Sequence, residues 1–375
     1  MTEIRALTSL RFLAAFYVFV FHLHIRWPLT TDSNLLANFL SQGAVGMTVF
    51  FMLSGYILAH RYQDDRLDWR DYYVNRLARI YPVYIAAALI TIPWLSLPPT
   101  NAAVPADASL QVGRWILLIL TDITATQAWF PPLLKYWNNG ASWSISAEAF
   151  FYAVFPVLLP LISTASVRGK VRWLSATYAL SFLPSAGYIL FDPAGLSAIY
   201  YSVPLFRLPE FIAGIALFHL GRHIKIRTGV LELGLLLLAV CWAWYLMNFG
   251  PSLPLYVSHN WINVPFIGAT LIVLSRADSL IGKALSIGPA VWAGKISYCF
   301  YSFQVLILFS AVDYREALIK RFPVLKSDLW WALALLVSLT AISALAYFLI
   351  EEPCRKRVRN WMANRSAPVA NVLPA

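Results

Sequence analysis

The chain has 375 residues, 59% hydrophobic and 13% charged, with 29 Lys and Arg against 18 Asp and Glu for a net charge of +11. A water-soluble domain is about 45–50% apolar and about 25% charged, so these figures exclude soluble, disordered and collagen-like chains and place the protein in a bilayer. Cys241, Cys299 and Cys354 give neither a disulfide framework nor a metal-ligand spacing, and in a membrane chain the basic excess records orientation rather than nucleic-acid binding.

The first apolar run, 8–27, carries Arg11, His22 and His24. It lacks a small-residue cleavage site and is followed by further spans, which marks a retained helix rather than a signal peptide. Apolar stretches follow at 43–60, 79–97, 113–130, 143–164, 173–191, 203–220, 230–249, 262–275, 287–311 and 329–350. Most approach the ~20 residues that a crossing helix needs. The amino end (Arg5, Arg11) and the tail EEPCRKRVRNWMANR are both basic, so both are expected in the cytoplasm. An odd number of crossings would separate them. The stretch 113–130, whose second half reads TDITATQAW, is therefore expected to be re-entrant or interfacial. The predicted fold is an all-α polytopic membrane bundle of about ten transmembrane helices plus that one. Residues 1–355 form the membrane domain and 356–375 a basic cytoplasmic tail.

Polar side chains within spans are costly and point to function. Arg11 and His22 are eleven positions apart, so at about 100° per residue they share one helix face, about 16 Å apart along the axis. Arg11 falls near the cytoplasmic mouth and His22 beyond the midplane. A neutral imidazole there can take a proton from a hydroxyl; an orientation anchor and a packing histidine would give the same pattern. His24 points away and is expected at the interface. Arg76 and Arg79, in YYVNRLARIYP, face one way and suit either a phosphate or lipid headgroups. Glu148, in SWSISAEAFFY, and the pair Arg207 and Glu210, in FRLPEFIAG, are placed in the outer half. Glu148 has no obvious partner within its own helix and could support His22 from across the bundle, whereas Arg207–Glu210 also reads as a structural ion pair. In FFMLSG, Ser54 and Gly55 read as small-residue helix packing.

The segments LTSLRFLAAFYVFVFHLH, VGMTVFFMLSGYILA, YYVNRLARIYPVY, SWSISAEAFFYAVFP, FRLPEFIAG and GKISYCFYSF, in that order, resemble the acyltransferase-3 family of integral-membrane acyltransferases over residues 4 to 355. The resemblance implies transfer of an acyl group, commonly acetyl, from acyl-CoA to sugar hydroxyls of exported glycans. Its arginine, ten residues, histidine motif falls on Arg11 and His22, its paired arginines on Arg76 and Arg79, and its serine–tryptophan–glutamate motif on Ser142, Trp143 and Glu148. Many members carry histidine a few residues after the GKISY-like segment, where this chain has Gln304, which leaves His22 as the base. Some members add a carboxyl-terminal esterase-like domain, and none is expected in residues 351–375. The expected enzyme is an inner-membrane O-acetyltransferase of exopolysaccharide or its lipid-linked repeat unit, with acyl-CoA as cosubstrate, no metal and no resident cofactor. A transporter of a small anion or glycan is the rival, disfavoured by the lack of an inverted repeat.

Overall fold

The computed structural model describes residues 3–29, 34–63, 67–90, 108–131, 142–191, 199–253 and 255–366, and every regular element among them is helical. The chain opens with α1 (Arg5–Arg26), a short α2 (Asn34–Leu40), α3 (Val45–Arg61), α4 (Trp69–Ile90) and α5 (Ala108–Ile123). It continues with α6 (Trp143–Ser163), α7 (Val167–Leu180), α8 (Leu183–Phe191), a single turn α9 (Ile199–Ser202), α10 (Pro204–Gly221) and α11 (Thr228–Asn248). The last third holds α12 (Leu255–His259), α13 (Val264–Leu274), α14 (Leu280–Leu285), α15 (Gly288–Arg321), α16 (Asp328–Ala346) and α17 (Glu352–Ser366).

Nine stretches among the described residues, single helices or helices end to end, are long and apolar enough to cross a membrane. They coincide with nine of the ten crossings expected from the sequence. The tenth, 79–97, falls on α4, and its remainder lies outside the described residues. The protein is an integral-membrane all-α bundle. The helix that overlaps 113–130, Ala108–Ile123, has 16 described residues. Two residues past its end Ala125 has φ 53°, and the Thr126 amide donates back to the Thr121 carbonyl at 2.7 Å. This is the left-handed stop that glycine usually supplies. Three expected limits are corrected. The stretch 287–311 runs on to Arg321, and 329–350 continues through a wide π turn, Tyr347–Glu351, into α17. The first part of the tail is therefore helix, laid against α4 with Asn75 Nδ2 3.9 Å from Met362 Sδ. The stretch 262–275 is the end of a broken helix, interrupted between α12 and α13.

Close approach of backbones sets the core. A Cβ on Gly55 of α3 would fall onto the Phe211 carbonyl of α10, and one on Gly214 onto the Met52 carbonyl. The two helices touch backbone to backbone through this reciprocal pair, as small residues allow in membranes. Gly294 does the same between α15 and Thr8 of α1. Helices α1 and α15 run parallel, with Phe12 and Phe19 both against Phe300 and Arg26 over Phe309. Helix α3 runs antiparallel to α1, since Gly43 and Gly46 meet Tyr17 and Ala14. Helices α1, α4, α15 and the end of α17 thus share one face of the bundle, called basal here. A cleft of about 690 Å³ opens on this face, lined by Arg5, His60, Arg222, Arg276 and Lys283. Glu3 and Asp278 share the lining, so four Lys and Arg stand there against two carboxylates.

Topology has a direct check. Single cysteines placed at 62–68 and 222–227 should react with an impermeant thiol reagent only after the cytoplasmic side is opened. Cysteines at 132–141, a segment outside the described residues, should react from outside. Labelling of 132–141 from the cytoplasmic side would mean that 113–130 crosses after all.

Candidate functional site

Proline chemistry positions the basal part of the site. Pro156 lacks an amide hydrogen, which leaves the Tyr152 carbonyl of α6 without its helical donor. The Tyr72 hydroxyl of α4 donates to that carbonyl at 3.1 Å, and Tyr73 donates to Ala153 at 2.9 Å. The first turn of α4 is thereby bolted to the middle of α6. One turn above the bolt, Glu148 accepts hydrogen bonds from Ser54 Oγ at 3.3 Å and from the Tyr152 hydroxyl. Arg11, Arg79, Ser54, Ser144, Glu148, Tyr298 and Tyr301 line a cavity of about 60 Å³, room for a few waters or one acetyl group. Arg76 lies a turn nearer the basal face with its guanidinium over the rings of Tyr72 and Tyr152, 5.9 and 5.5 Å away. Glu351 interacts with Arg79 and accepts from Arg355 at 3.3 Å. Among the described residues, four guanidinium groups (Arg11, Arg76, Arg79, Arg355) thus face two carboxylates (Glu148, Glu351), an excess of positive charge that suits an anionic ligand.

This geometry corrects one expectation. Glu148 was placed in the outer half, as a support for His22; instead it sits beside Arg11 and Arg79. The reason is that α6 begins deep in the bundle rather than at its edge. Its first residue, Trp143, is buried against Phe51 and Tyr201, so a turn and a half of helix carries Glu148 down to the arginines. Its helix also provides a partner, Tyr152, four residues on.

His22 stands at the opposite, distal, end of α1. Its ring packs on Phe21, 5.2 Å between centroids, and the amide of Gln304 lies beside the imidazole. Gln304 is fully buried, and neither its amide atoms nor Nδ1 of His22 has a hydrogen-bond partner among the described residues. Arg11 and His22 therefore mark two polar zones on a single rigid helix. His24 faces elsewhere, and its Nδ1 accepts from the Leu29 amide at 3.1 Å, closing the end of α1.

Residues 4–348 match the profile of the acyltransferase-3 family, described as an acyltransferase domain. The chain belongs to this family. It is 29% identical to the acyltransferase MdmB of Streptomyces mycarofaciens over 60% of this chain and 58% of that one. It is 25% identical to the O-acetyltransferase OatA of Staphylococcus aureus over 94% of this chain and 57% of that one. The peptidoglycan O-acetyltransferase OatA of Listeria monocytogenes is 22% identical, again over 94% of this chain and 56% of its own length. The chain spans somewhat more than half the length of these curated relatives. No solved structure matches it.

The remaining family-motif residues hold the distal zone in shape. Ser142 is fully buried, and Gln127 Nε2 donates to its carbonyl at 3.1 Å and its hydroxyl at 3.2 Å. Trp143, with Phe51 and Tyr201, boxes the guanidinium of Arg207 at 5.9, 5.2 and 5.6 Å from the ring centroids. Arg207 and Glu210 form a buried pair at 3.1 Å, and Arg207 Nη2 donates to Thr48 Oγ1 at 3.2 Å. Ser142, Trp143, Arg207 and Glu210 lie outside the cavity that holds Arg11. Sequence reasoning missed Tyr152, Tyr298, Glu351, His259 and Asn260. Tyr152 was legible as the i+4 neighbour of Glu148. Glu351 was not, because it reads as the start of a charged tail and only the π turn directs it inward.

Proposed function

We propose that the protein is a membrane O-acyltransferase that moves an acetyl group from acyl-CoA, on the cytoplasmic side of the bacterial inner membrane, to a sugar hydroxyl of an exported glycan. One observation carries this reading: Arg11 and His22 stand about 16 Å apart on one face of one helix, the first in a positively charged cavity, the second in a distal zone of unpaired polar groups. The basal cavity, about 60 Å³, is too small for a nucleotide. The phosphates of CoA would stay at the basal mouth against Arg76, Arg79 and Arg355, and the flexible arm between them and the thioester spans the offset towards His22.

The chemistry balances without a resident cofactor. The imidazole of His22 takes the proton of the acceptor hydroxyl as its oxygen attacks the thioester carbonyl carbon. The carbon–sulfur bond breaks, the new ester stays on the sugar, and the imidazolium returns its proton to the departing thiolate. Gln304 lies beside the His22 ring. Glu148 acts away from the base: it balances Arg11 and Arg79 so that these guanidinium groups can be held together. Exopolysaccharide or its lipid-linked repeat unit is the proposed acceptor. Two of the relatives are named for O-acetylation, one of them of peptidoglycan, which makes cell-wall glycan the alternative. Mass analysis of acetyl esters on both glycans from a deletion strain decides between them, and loss from neither would refute the reading.

The donor half makes a second test. Replacing Arg79 with Gln should raise the apparent KM for acetyl-CoA by about ten- to hundredfold, the worth of a charge-assisted contact of roughly 1.5–3 kcal/mol, with the acceptor KM unchanged. Arg79→Lys should recover part of the loss, because an ammonium keeps the charge without the bidentate fork. Saturation kinetics in both substrates would show it; a rise confined to the acceptor KM would put the arginines at the glycan instead.

A further inference from the structure

The helix that forms the α12–α13 crossing is broken at its distal part. Helix α12 stops at His259, Asn260 leaves helical geometry at φ −112°, ψ −91°, and a 3-10 turn over Trp261–Asn263 leads into α13. Irregular backbone at membrane depth persists only where protein or water surrounds it. Here protein fixes it on several sides. Asn263 Nδ2 donates to the Ser258 carbonyl and Trp242 Nε1 donates to Asn263 Oδ1, both at 2.6 Å. The Trp261 ring lies on Tyr178 and Phe182. Thr48 Oγ1 donates to the His259 carbonyl at 3.0 Å.

The residues at the break itself are left over from this scheme. His259 and Asn260 are each 1% exposed. Both ring nitrogens of His259 and both amide atoms of Asn260 lack a hydrogen-bond partner among the described residues. Arg207, 0% exposed and joined to the same Thr48 hydroxyl, leaves Nε and Nη1 equally unpaired. Burying such atoms without partners costs free energy, and six of them belong to the two residues at the break and to Arg207, joined to it through Thr48. Phe21 links this group to the base: its ring is 5.2 Å from that of His22 and 6.1 Å from that of His259. Together the side chains offer guanidinium N–H donors, a carboxamide that donates and accepts, and an imidazole that does one of each when neutral. Glu210, paired with Arg207, cancels the charge and disfavours an anion. The array suits a neutral ring carrying several hydroxyls, next to an apolar aromatic face.

We infer that His259, Asn260 and Arg207 bind the hydroxyls of the acceptor sugar and present one of them to His22 across Phe21. This rests on the acyltransfer reading for the identity of the ligand, but the site can be tested without turnover. The protein in lipid nanodiscs would be titrated by calorimetry with cellobiose, maltose and chitobiose, without any donor. The best-bound disaccharide would then serve as acceptor with acetyl-CoA. At least one disaccharide should bind the wild type. Asn260→Ala and His259→Gln should weaken it tenfold or more and raise its KM equally. The acetyl-CoA KM should stay within twofold, which a general loss of fold would not allow. Asn260→Asp, which keeps the oxygen acceptors, should fall between. Binding by none of the three sugars, unchanged affinity in both variants, or a parallel rise in the donor KM would overturn the site. Disaccharide binding that these variants weaken, with no thiol release by the wild type, would keep the pocket and refute acyl transfer instead.

Discussion

Replacing His22 with Ala is expected to remove acetyl transfer almost completely, by about 10²–10⁴-fold, the usual worth of a general base. The protein should still insert and fold, since the change removes a half-buried ring that makes no side-chain hydrogen bond through Nδ1 and adds no charge. The proposed donor site lies about 16 Å away along α1, so acetyl-CoA affinity should be retained while kcat falls. His24→Ala gives the internal comparison. It loses one hydrogen bond, to the Leu29 amide, worth about 1 kcal/mol of stability at the end of a helix, and should keep most of the activity. Turnover and donor affinity measured side by side would decide. A His22→Ala protein that transfers acetyl at near wild-type rate would remove His22 from the chemistry.

Gly214→Val should prevent folding rather than impair catalysis. A side chain at Gly214 meets the Met52 carbonyl and one at Gly55 meets the Phe211 carbonyl. Neither obstacle is a flexible side chain that can swing aside, so α3 and α10 must separate. Overpacking of an ordinary core costs about 1–3 kcal/mol, and parting two backbones along a helix contact exceeds that. The separation would also dismantle both polar zones, because α3 carries Thr48 and Ser54 and α10 carries Arg207 and Glu210. Gly234→Ala in α11, where a Cβ meets nothing within 4 Å, should be neutral or stabilising by up to about 1 kcal/mol. Fluorescence-detected gel filtration and thermal melting in detergent would separate the two. A monodisperse Gly214→Val protein with unchanged melting would show that the helices can part cheaply.

Much of this architecture could be read before the structure, because hydropathy and helical phase are local properties. The length of an apolar run reveals a crossing, and the eleven-residue interval between Arg11 and His22 forces them onto one face whatever surrounds them. Depth was harder. Glu148 was misplaced because its height depends on where α6 starts, and that is fixed by the packing of Trp143 against Phe51 and Tyr201, contacts between distant parts of the chain. His259 and Asn260 were invisible for a related reason. A histidine and an asparagine before a tryptophan look like an ordinary loop, and only the surrounding helices show that the loop is buried. Gln304 was legible as a departure from the family pattern, yet its position beside His22 needed the parallel pairing of α1 with α15.

The wide turn at Tyr347–Glu351 means that the last crossing is indexed, like a keyed shaft. A π turn holds one residue more than the α-helical turn it replaces, so whatever follows is offset by about 100° from where α16 alone would aim it. Removing a single residue there would leave the length and oiliness of the helix intact, and no hydropathy profile would register the change. It would nevertheless swing Arg355 away from Arg79 and unseat α17 from α4. In this part of the chain, therefore, insertions and deletions should be far less tolerated than substitutions, and an alignment drawn without a gap through it can compare the wrong faces of two related proteins.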